Sequence, residues 1–420
     1  MIDLIAMTLC LLFQTPAQDK NQEPQDLREK VNKLQEEVND LEKELEEIYK
    51  ERDKKPQEPT RLNLLNPPIT LFANGAARID DDPVLSKSGQ RIDNHLFLRT
   101  AEVDFRAAID PYADGVVILS IEDDAGTGYS VDLEETYFIL KKIPILEDAP
   151  LGLKLKIGRY RAPLGSTNRL HMHDMPWTTR PIPIAQYLGS EQGDFFESGY
   201  NPVGADADFL LPEVIPGAVM EMNLDVVDSG KIAITENQNN HSPAYLAHWN
   251  LFFTAWETHD VNLGASGYFE NGQHDSQMLA LDFLYKWKPR ESGEFKSIVL
   301  GGEIFYTNRE FAKDDDGDGI PDRNTQATPF GWYAFLQYQL SWHLYAGVRY
   351  DWLEDMSNTD LQTSVKAFYL TYYTSEFLRF RVGYEHRESD IAAQDGINTF
   401  LIEVNMVFGS HPTEPYWVNR

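Results

Sequence analysis

Two short stretches hold the residue types that ligand chemistry needs. In "DDDGDGIPD", residues 314–322, Asp314, Asp316 and Asp318 alternate, and Gly319 falls where a calcium loop turns sharply. Ile320 offers a backbone carbonyl, and Asp322 follows two residues later. Carboxylates packed this closely repel one another unless a cation bridges them, so calcium is the expected occupant. Thr325 stands where a helix–loop–helix site carries a bidentate Glu, so the stretch reads more like the short calcium turns of extracellular repeats. A solvated acidic loop is the alternative. In "HMHD", residues 171–174, His171 and His173 lie two residues apart and face one way if the chain is extended. Such a pair suits a transition metal, but spacing alone identifies no third ligand. Polar packing within a structured loop is the plainer reading. No Gly-x-Ser-x-Gly elbow occurs, and none of the 10 histidines has a recognisable Ser/Asp setting, so an enzyme is not expected.

The elements that position these residues are strands. The chain has 420 residues and a formal net charge of -30, with no apolar run near the roughly 18 residues of a membrane-spanning helix. An acidic chain of this kind repels nucleic acid. From residue 69 onward, roughly sixteen segments alternate apolar and polar residues, starting near 69, 96, 113, 130, 152, 204, 217, 245, 260, 277, 296, 331, 343, 361, 376 and 397. In "TFLIEVNMVF", Phe400, Ile402, Val404, Met406 and Phe408 share one face, opposite Thr399, Glu403 and Asn405. Leu378, Phe380, Val382 and Tyr384 likewise oppose Arg379, Arg381 and Glu385.

The connections choose the architecture. Turns near 110–112, 258–259, 341–342 and 374–375 are short, whereas the alternate connections include 162–203 and 309–330. Short turns on one side and long loops on the other mark an outer-membrane barrel. A face carrying charges, Asn, Gly and Ser cannot be a packed apolar core, so the apolar face looks at lipid. Tyr245, Trp256, Trp287, Trp332, Trp342 and Trp352 sit near strand ends, as interfacial girdles require. The fold class is all-β, a transmembrane antiparallel barrel of about sixteen strands over 69–408, wide enough for an aqueous channel.

Other segments flank it. Residues 1–17 read as a secretory signal peptide, although its n-region carries Asp3 and no basic residue. Cys10 is the sole cysteine, so a mature chain would carry none, as suits an oxidising compartment. Within 25–55, Leu27, Val31, Leu34, Val38, Leu41, Leu45 and Ile48 form an a/d heptad seam. A periplasmic coiled coil that joins protomers or contacts the cell wall is expected, with a single solvated helix as the alternative. Residues 56–68 form a Pro-rich linker, and 409–420 a C-terminal tail.

The stretches "NPPITLFANGAAR", "TAEVDFRAAIDPYA", "LKIGRYRAPLGSTNRLHMHDMPWTTRP" and "FLIEVNMVFGSHP" resemble a family of bacterial outer-membrane porins related to phosphate-selective porins. The resemblance covers most of 66–413. It implies a barrel of sixteen or so strands in the bacterial outer membrane, often assembled as a homotrimer. Some members carry the label zinc-regulated TonB-dependent outer membrane receptor. Receptors of that type need about 22 strands around a plug, more than residues 69–408 supply. Inward charges are mixed: Arg106, Lys154, Lys156, Arg349, Arg379 and Arg381 stand with Glu102, Asp104, Asp132, Glu134, Glu221, Asp225, Asp351, Glu385 and Glu403. An acidic chain without an arginine ladder favours cations.

A passive diffusion channel for small hydrophilic solutes or ions is therefore expected. Its wall would include Glu102, Asp104, Arg106, Lys154, Lys156, Arg349, Arg379 and Arg381. The third outer loop, 162–203, would fold inward and present Arg169, His171, His173, Asp174, Arg180, Glu191, Asp194 and Glu197 at a constriction. A lid over the outer mouth is the alternative for this loop. A structural envelope tether anchored by the barrel, and a metal-ion or TonB-linked uptake protein, are the other functional readings.

Overall fold

The computed structural model describes residues 69–84, 91, 94–123, 128–142, 150–189, 199–236, 242–289, 295–314 and 322–409. The expected signal peptide, coiled coil and linker lie outside them, as does the tail beyond Gly409. So do Glu191, Asp194, Glu197, Asp316, Asp318 and Ile320.

Seventeen strand segments follow one another: β1 (Ile69–Asp80), β2 (His95–Ala108), β3 (Ala113–Asp123), β4 (Tyr129–Leu140), β5 (Lys154–Arg159), β6 (Val203–Leu210), β7 (Ala218–Val227), β8 (Ala244–Ala255), β9 (His259–Glu270), β10 (Ser276–Trp287), β11 (Ile298–Lys313), β12 (Arg323–Ala327), β13 (Phe330–Gln339), β14 (Leu344–Glu354), β15 (Gln362–Ser375), β16 (Leu378–Ser389) and β17 (Ile397–Gly409). Their starts fall within a few residues of the sequence-derived ones. Strands pair antiparallel with their neighbours in the chain, and β1 closes the ring on β17, from Thr70 opposite Gly409 to Asp80 opposite Thr399. β12 and β13 both pair with β11, at its outer and inner parts, and form one stave interrupted at Thr328-Pro329. Pro329 has no N–H for the ladder, but its carbonyl accepts from Thr307 N at 3.0 Å. The result is a closed antiparallel barrel of sixteen staves.

Alternation along each stave sorts the side chains. In β17, Phe400 and Phe408 are 44% and 52% exposed on the outer surface, while Leu401 and Glu403 are 0% exposed inside. In β16, Phe380, Val382 and Tyr384 face out, and Arg379, Arg381 and Glu385 face in. Closure leaves no free sheet edge, so the staves pair their backbone groups with one another.

The sorting of loops is less complete than expected. The connections after β2, β8, β13 and β15 are short, but 141–153 and 288–297 lie on the same side and are longer. On the opposite side, 124–128 and 271–275 are brief, and β11 with β12 carries the ladder out to Lys313 and Arg323. Much of the expected 309–330 loop is thus ladder, with β11 running to Lys313 and β12 starting at Arg323.

Candidate functional site

The segment between β5 and β6 turns into the barrel. Its two arms start as a ladder: Tyr160 N donates to Pro202 O at 3.2 Å, and Ala162 N to Tyr200 O at 3.0 Å. Asn168 then clasps both arms. Its Nδ2 donates to Ala162 O and Tyr200 O, each at 2.9 Å, and its Oδ1 accepts from Tyr200 N at 2.9 Å. Gly165 makes the inward bend at φ 71°, a region that favours glycine. Short 3-10 turns follow at Thr167–Arg169 and Met172–Asp174. Pro181 leads into the helix α1 (Ile182–Tyr187), whose first turn accommodates Pro183.

The loop is tied to staves all round the wall. Glu303 of β11 accepts from Thr167 N at 2.7 Å and Ser166 Oγ at 2.9 Å. Gly165 N donates to Ser266 of β9 at 2.9 Å. On β16, Arg381 donates to Met175 O and Trp177 O, both at 2.7 Å. Arg349 of β14 donates to Thr179 O at 2.7 Å, and Arg99 of β2 donates to Thr178 O. Asp351 accepts from Ile182 N at 3.2 Å, and Tyr187 OH donates to Glu354 O at 2.7 Å. Trp177 packs edge-on against Phe335 with centroids 4.6 Å apart. Met172, Met175, Ile184 and Leu188 are fully buried, which gives the loop an apolar core of its own.

A second set of contacts forms on the near wall. Glu102 of β2 meets both histidines, at 3.1 Å from His171 Nδ1 and 3.0 Å from His173 Nδ1. Glu135 of β4 lies 2.8 Å from His171 Nε2, and Phe72 stacks on His173 at 3.8 Å between centroids. Burial works against the charged form of both rings, but the Glu102 carboxylate outweighs it and holds both imidazoles above their usual range.

The residues expected at the constriction therefore divide. Arg169 is exposed and donates to Asn223 at 3.0 Å, and Asp174 keeps 34% of its side chain exposed. His171 and His173 are buried against the wall. Arg180, expected at the charged edge, is 0% exposed and instead braces the loop from inside, donating to Leu170 O at 3.0 Å. Long guanidiniums reach backbone carbonyls that short side chains cannot, so it serves the loop's own fold.

The wall residues divide as well. Asp104 and Arg106 pair at 2.8 Å with the Arg106 side chain 61% exposed. Lys154 is exposed, and Lys156 lies 3.5 Å from Asp206 with 29% of its side chain exposed. Glu102, Arg349, Arg379 and Arg381 face inward as expected, yet they are buried in the packing between loop and wall rather than lining open water. Arg379 and Arg381 share Glu403 at 2.6 and 3.0 Å. Asp314 and Asp322 flank the tip of the β11–β12 hairpin, where Asp322 N donates to Lys313 O at 2.9 Å.

Two residues of the site escaped strict alternation, Arg99 and Glu135, while Glu134 faces inward as alternation predicts. The ladder between β1 and β2 shifts at Asn74/Gly75, which leaves Arg99 as the extra residue. The ladder between β3 and β4 shifts at Ile118/Leu119, so both Glu134 and Glu135 turn inward. The signal was present in the sequence. Two adjacent carboxylates in a strand would put one of them in lipid, and a bulge avoids that.

No family model matches the chain. It is similar to an uncharacterized protein of Aquifex aeolicus (strain VF5), with 21% identity over 351 residues, 76% of this chain and 70% of that one. Among solved structures, it shares its fold with an anion-selective porin from Comamonas acidovorans, at 8% identity, TM-score 0.52, and coverage of 81% of this chain and 98% of that chain. A second is the outer membrane channel DcaP of Acinetobacter baumannii, at 10% identity, TM-score 0.52, and coverage of 81% and 96%.

Proposed function

We propose that the chain is a porin of the bacterial outer membrane, with the third outer loop setting the passage for small hydrophilic solutes and ions. One observation carries this reading: the barrel is closed, apolar outside and charged inside, as at Phe380, Val382 and Tyr384 against Arg379, Arg381 and Glu385. Such a sheet buries its apolar face only in lipid. The fold shared with two outer-membrane channels supports it. A net charge of -30 favours cations, the opposite of the preference named for the Comamonas porin. Association as a homotrimer, a periplasmic coiled coil at 25–55 and calcium at 314–322 belong to the same proposal.

A specific observation favours a second reading. Arg99, Arg381 and Glu403 are at most 1% exposed, so the loop covers the wall at their level and narrows the lumen there. A barrel shut there would serve as an anchor for a periplasmic tether. Reconstitution of the purified chain in planar bilayers separates the two. Stable open steps with a cation-selective reversal potential across a salt gradient are expected. A folded barrel without conductance steps would leave the anchor.

A further inference from the structure

The contact between the loop and β2 has an unusual chemistry. Both histidines turn Nδ1 toward Glu102, one to each carboxylate oxygen, at 3.1 Å and 3.0 Å. Ligand atoms of Glu102, His171 and His173 all lie within 4.8 Å of one another. The two rings stand nearly parallel, with centroids 5.4 Å apart and an interplanar angle of 22°.

The far nitrogen of each ring faces a second carboxylate. His171 Nε2 is 2.8 Å from Glu135, and His173 Nε2 is 3.6 Å from Asp174. An imidazole that gives its Nε2–H to a carboxylate carries its lone pair on Nδ1. This carboxylate–histidine pairing is how proteins orient histidines that bind metals. At His171 this leaves Nδ1, 3.1 Å from Glu102, without an aligned hydrogen bond, whereas His173 Nδ1 hydrogen-bonds to Glu102 at 3.0 Å. Once both rings give up their protons, as metal binding requires, the two Nδ1 atoms and Glu102 stand close together as three donors that a cation would bridge. A tetrahedral ion bound at about 2.0–2.1 Å would hold neighbouring donor atoms roughly 3.3 Å apart, near the 3.1 Å and 3.0 Å between each Nδ1 and Glu102.

Local charge points the same way. Arg161 is engaged with Glu134 at 3.1 Å, while Glu102, Glu135 and Asp174 crowd the two rings. Two imidazoles and a carboxylate form a donor set for zinc, copper or nickel rather than for calcium or magnesium.

We propose that Glu102, His171 and His173 bind one divalent transition-metal ion, which clamps the third outer loop to β2, with Glu135 and Asp174 orienting the rings. The clamp adds a bond between the loop and β2, so it tightens the inward fold of the loop. This goes beyond the channel reading and holds equally for an anchor.

The test uses the full chain, folded in detergent, freed of metal with a chelator and dialysed against Zn2+ in excess Ca2+ to occupy hard oxygen sites. Wild type is expected to retain one Zn2+ per chain above a His171→Ala/His173→Ala double variant. Glu135→Gln should keep the stoichiometry and weaken binding about 10- to 100-fold. Heat-modifiable gel migration reports barrel folding. If the double variant fails to fold, the near-isosteric Glu102→Gln should show the same loss of Zn2+. Wild type retaining no Zn2+, or folded double or Glu102→Gln variants binding as wild type does, overturns the proposal.

Discussion

Replacing Arg381 by alanine should loosen the loop without dismantling the barrel. The Arg381 side chain is fully buried and donates to Met175 O and Trp177 O, both at 2.7 Å. Hydrogen bonds from a charged donor contribute about 1.5–3 kcal/mol each. Arg99, Arg349 and Asp351 still hold Thr178, Thr179 and Ile182, and Glu403 keeps Arg379 at 2.6 Å. A loss of about 3 kcal/mol in docking raises the displaced population roughly 100-fold, since about 1.4 kcal/mol is a factor of ten. Single-channel recording reads this as flicker between conductance levels, one to two orders of magnitude more frequent than in wild type. Arg381→Lys keeps the charge but loses the fork geometry, so it should fall between. Lys366→Ala breaks an exposed pair with Glu388 at 2.8 Å and should change nothing. A folded Arg381→Ala barrel with wild-type step heights and flicker would refute the anchoring role of this arginine.

Three further outcomes are expected. In chelated protein, the raised affinity of His171 and His173 for protons stabilises the docked loop fully below the ordinary imidazole value of 6.5; that contribution fades as pH rises through their elevated range, so proteolysis of the loop should be faster at about pH 9 than at about pH 5.5, and a His171→Ala/His173→Ala variant should flatten the difference. Gly165→Ala adds a Cβ at φ 71° that meets the Glu303 carboxylate, so it should cost about 1–2 kcal/mol in backbone strain alone and lower the thermal unfolding midpoint. Asp316→Ala with Asp318→Ala should abolish any calcium-dependent rise in melting temperature; equal rises in variant and wild type would place the calcium elsewhere.

The staves were legible because lipid outside and water or polar packing inside impose a period of two on every strand. Phe400, Ile402 and Phe408 against Glu403 and Asn405 announce it within one segment. What alternation cannot show is a bulge, and bulges place Arg99 and Glu135 at the site. The path of the third loop was legible only in outline. Its length and its Met175-Pro176-Trp177 stretch suggested burial, but the partners of each carbonyl come from arginines about 80 to 200 residues away in sequence. For the same reason "HMHD" named two ligands and no third. Glu102 lies on a stave of the wall, and only the inward fold of the loop brings His171 and His173 to it. Arg180 was misplaced because a charged side chain in a loop reads as solvent-facing unless its backbone acceptors are known.

Single-channel conductance of a variant lacking 168–183 bears most directly on the loop as the element that sets the passage. That deletion removes the carbonyls of Leu170, Met175, Trp177, Thr178 and Thr179 together with both histidines, and so releases the lumen from most of the contacts that fill it. With the barrel shown to be folded by heat-modifiable migration, the step height should rise severalfold over wild type and ion selectivity should weaken. A folded deletion variant whose conductance and selectivity both match wild type would contradict the claim.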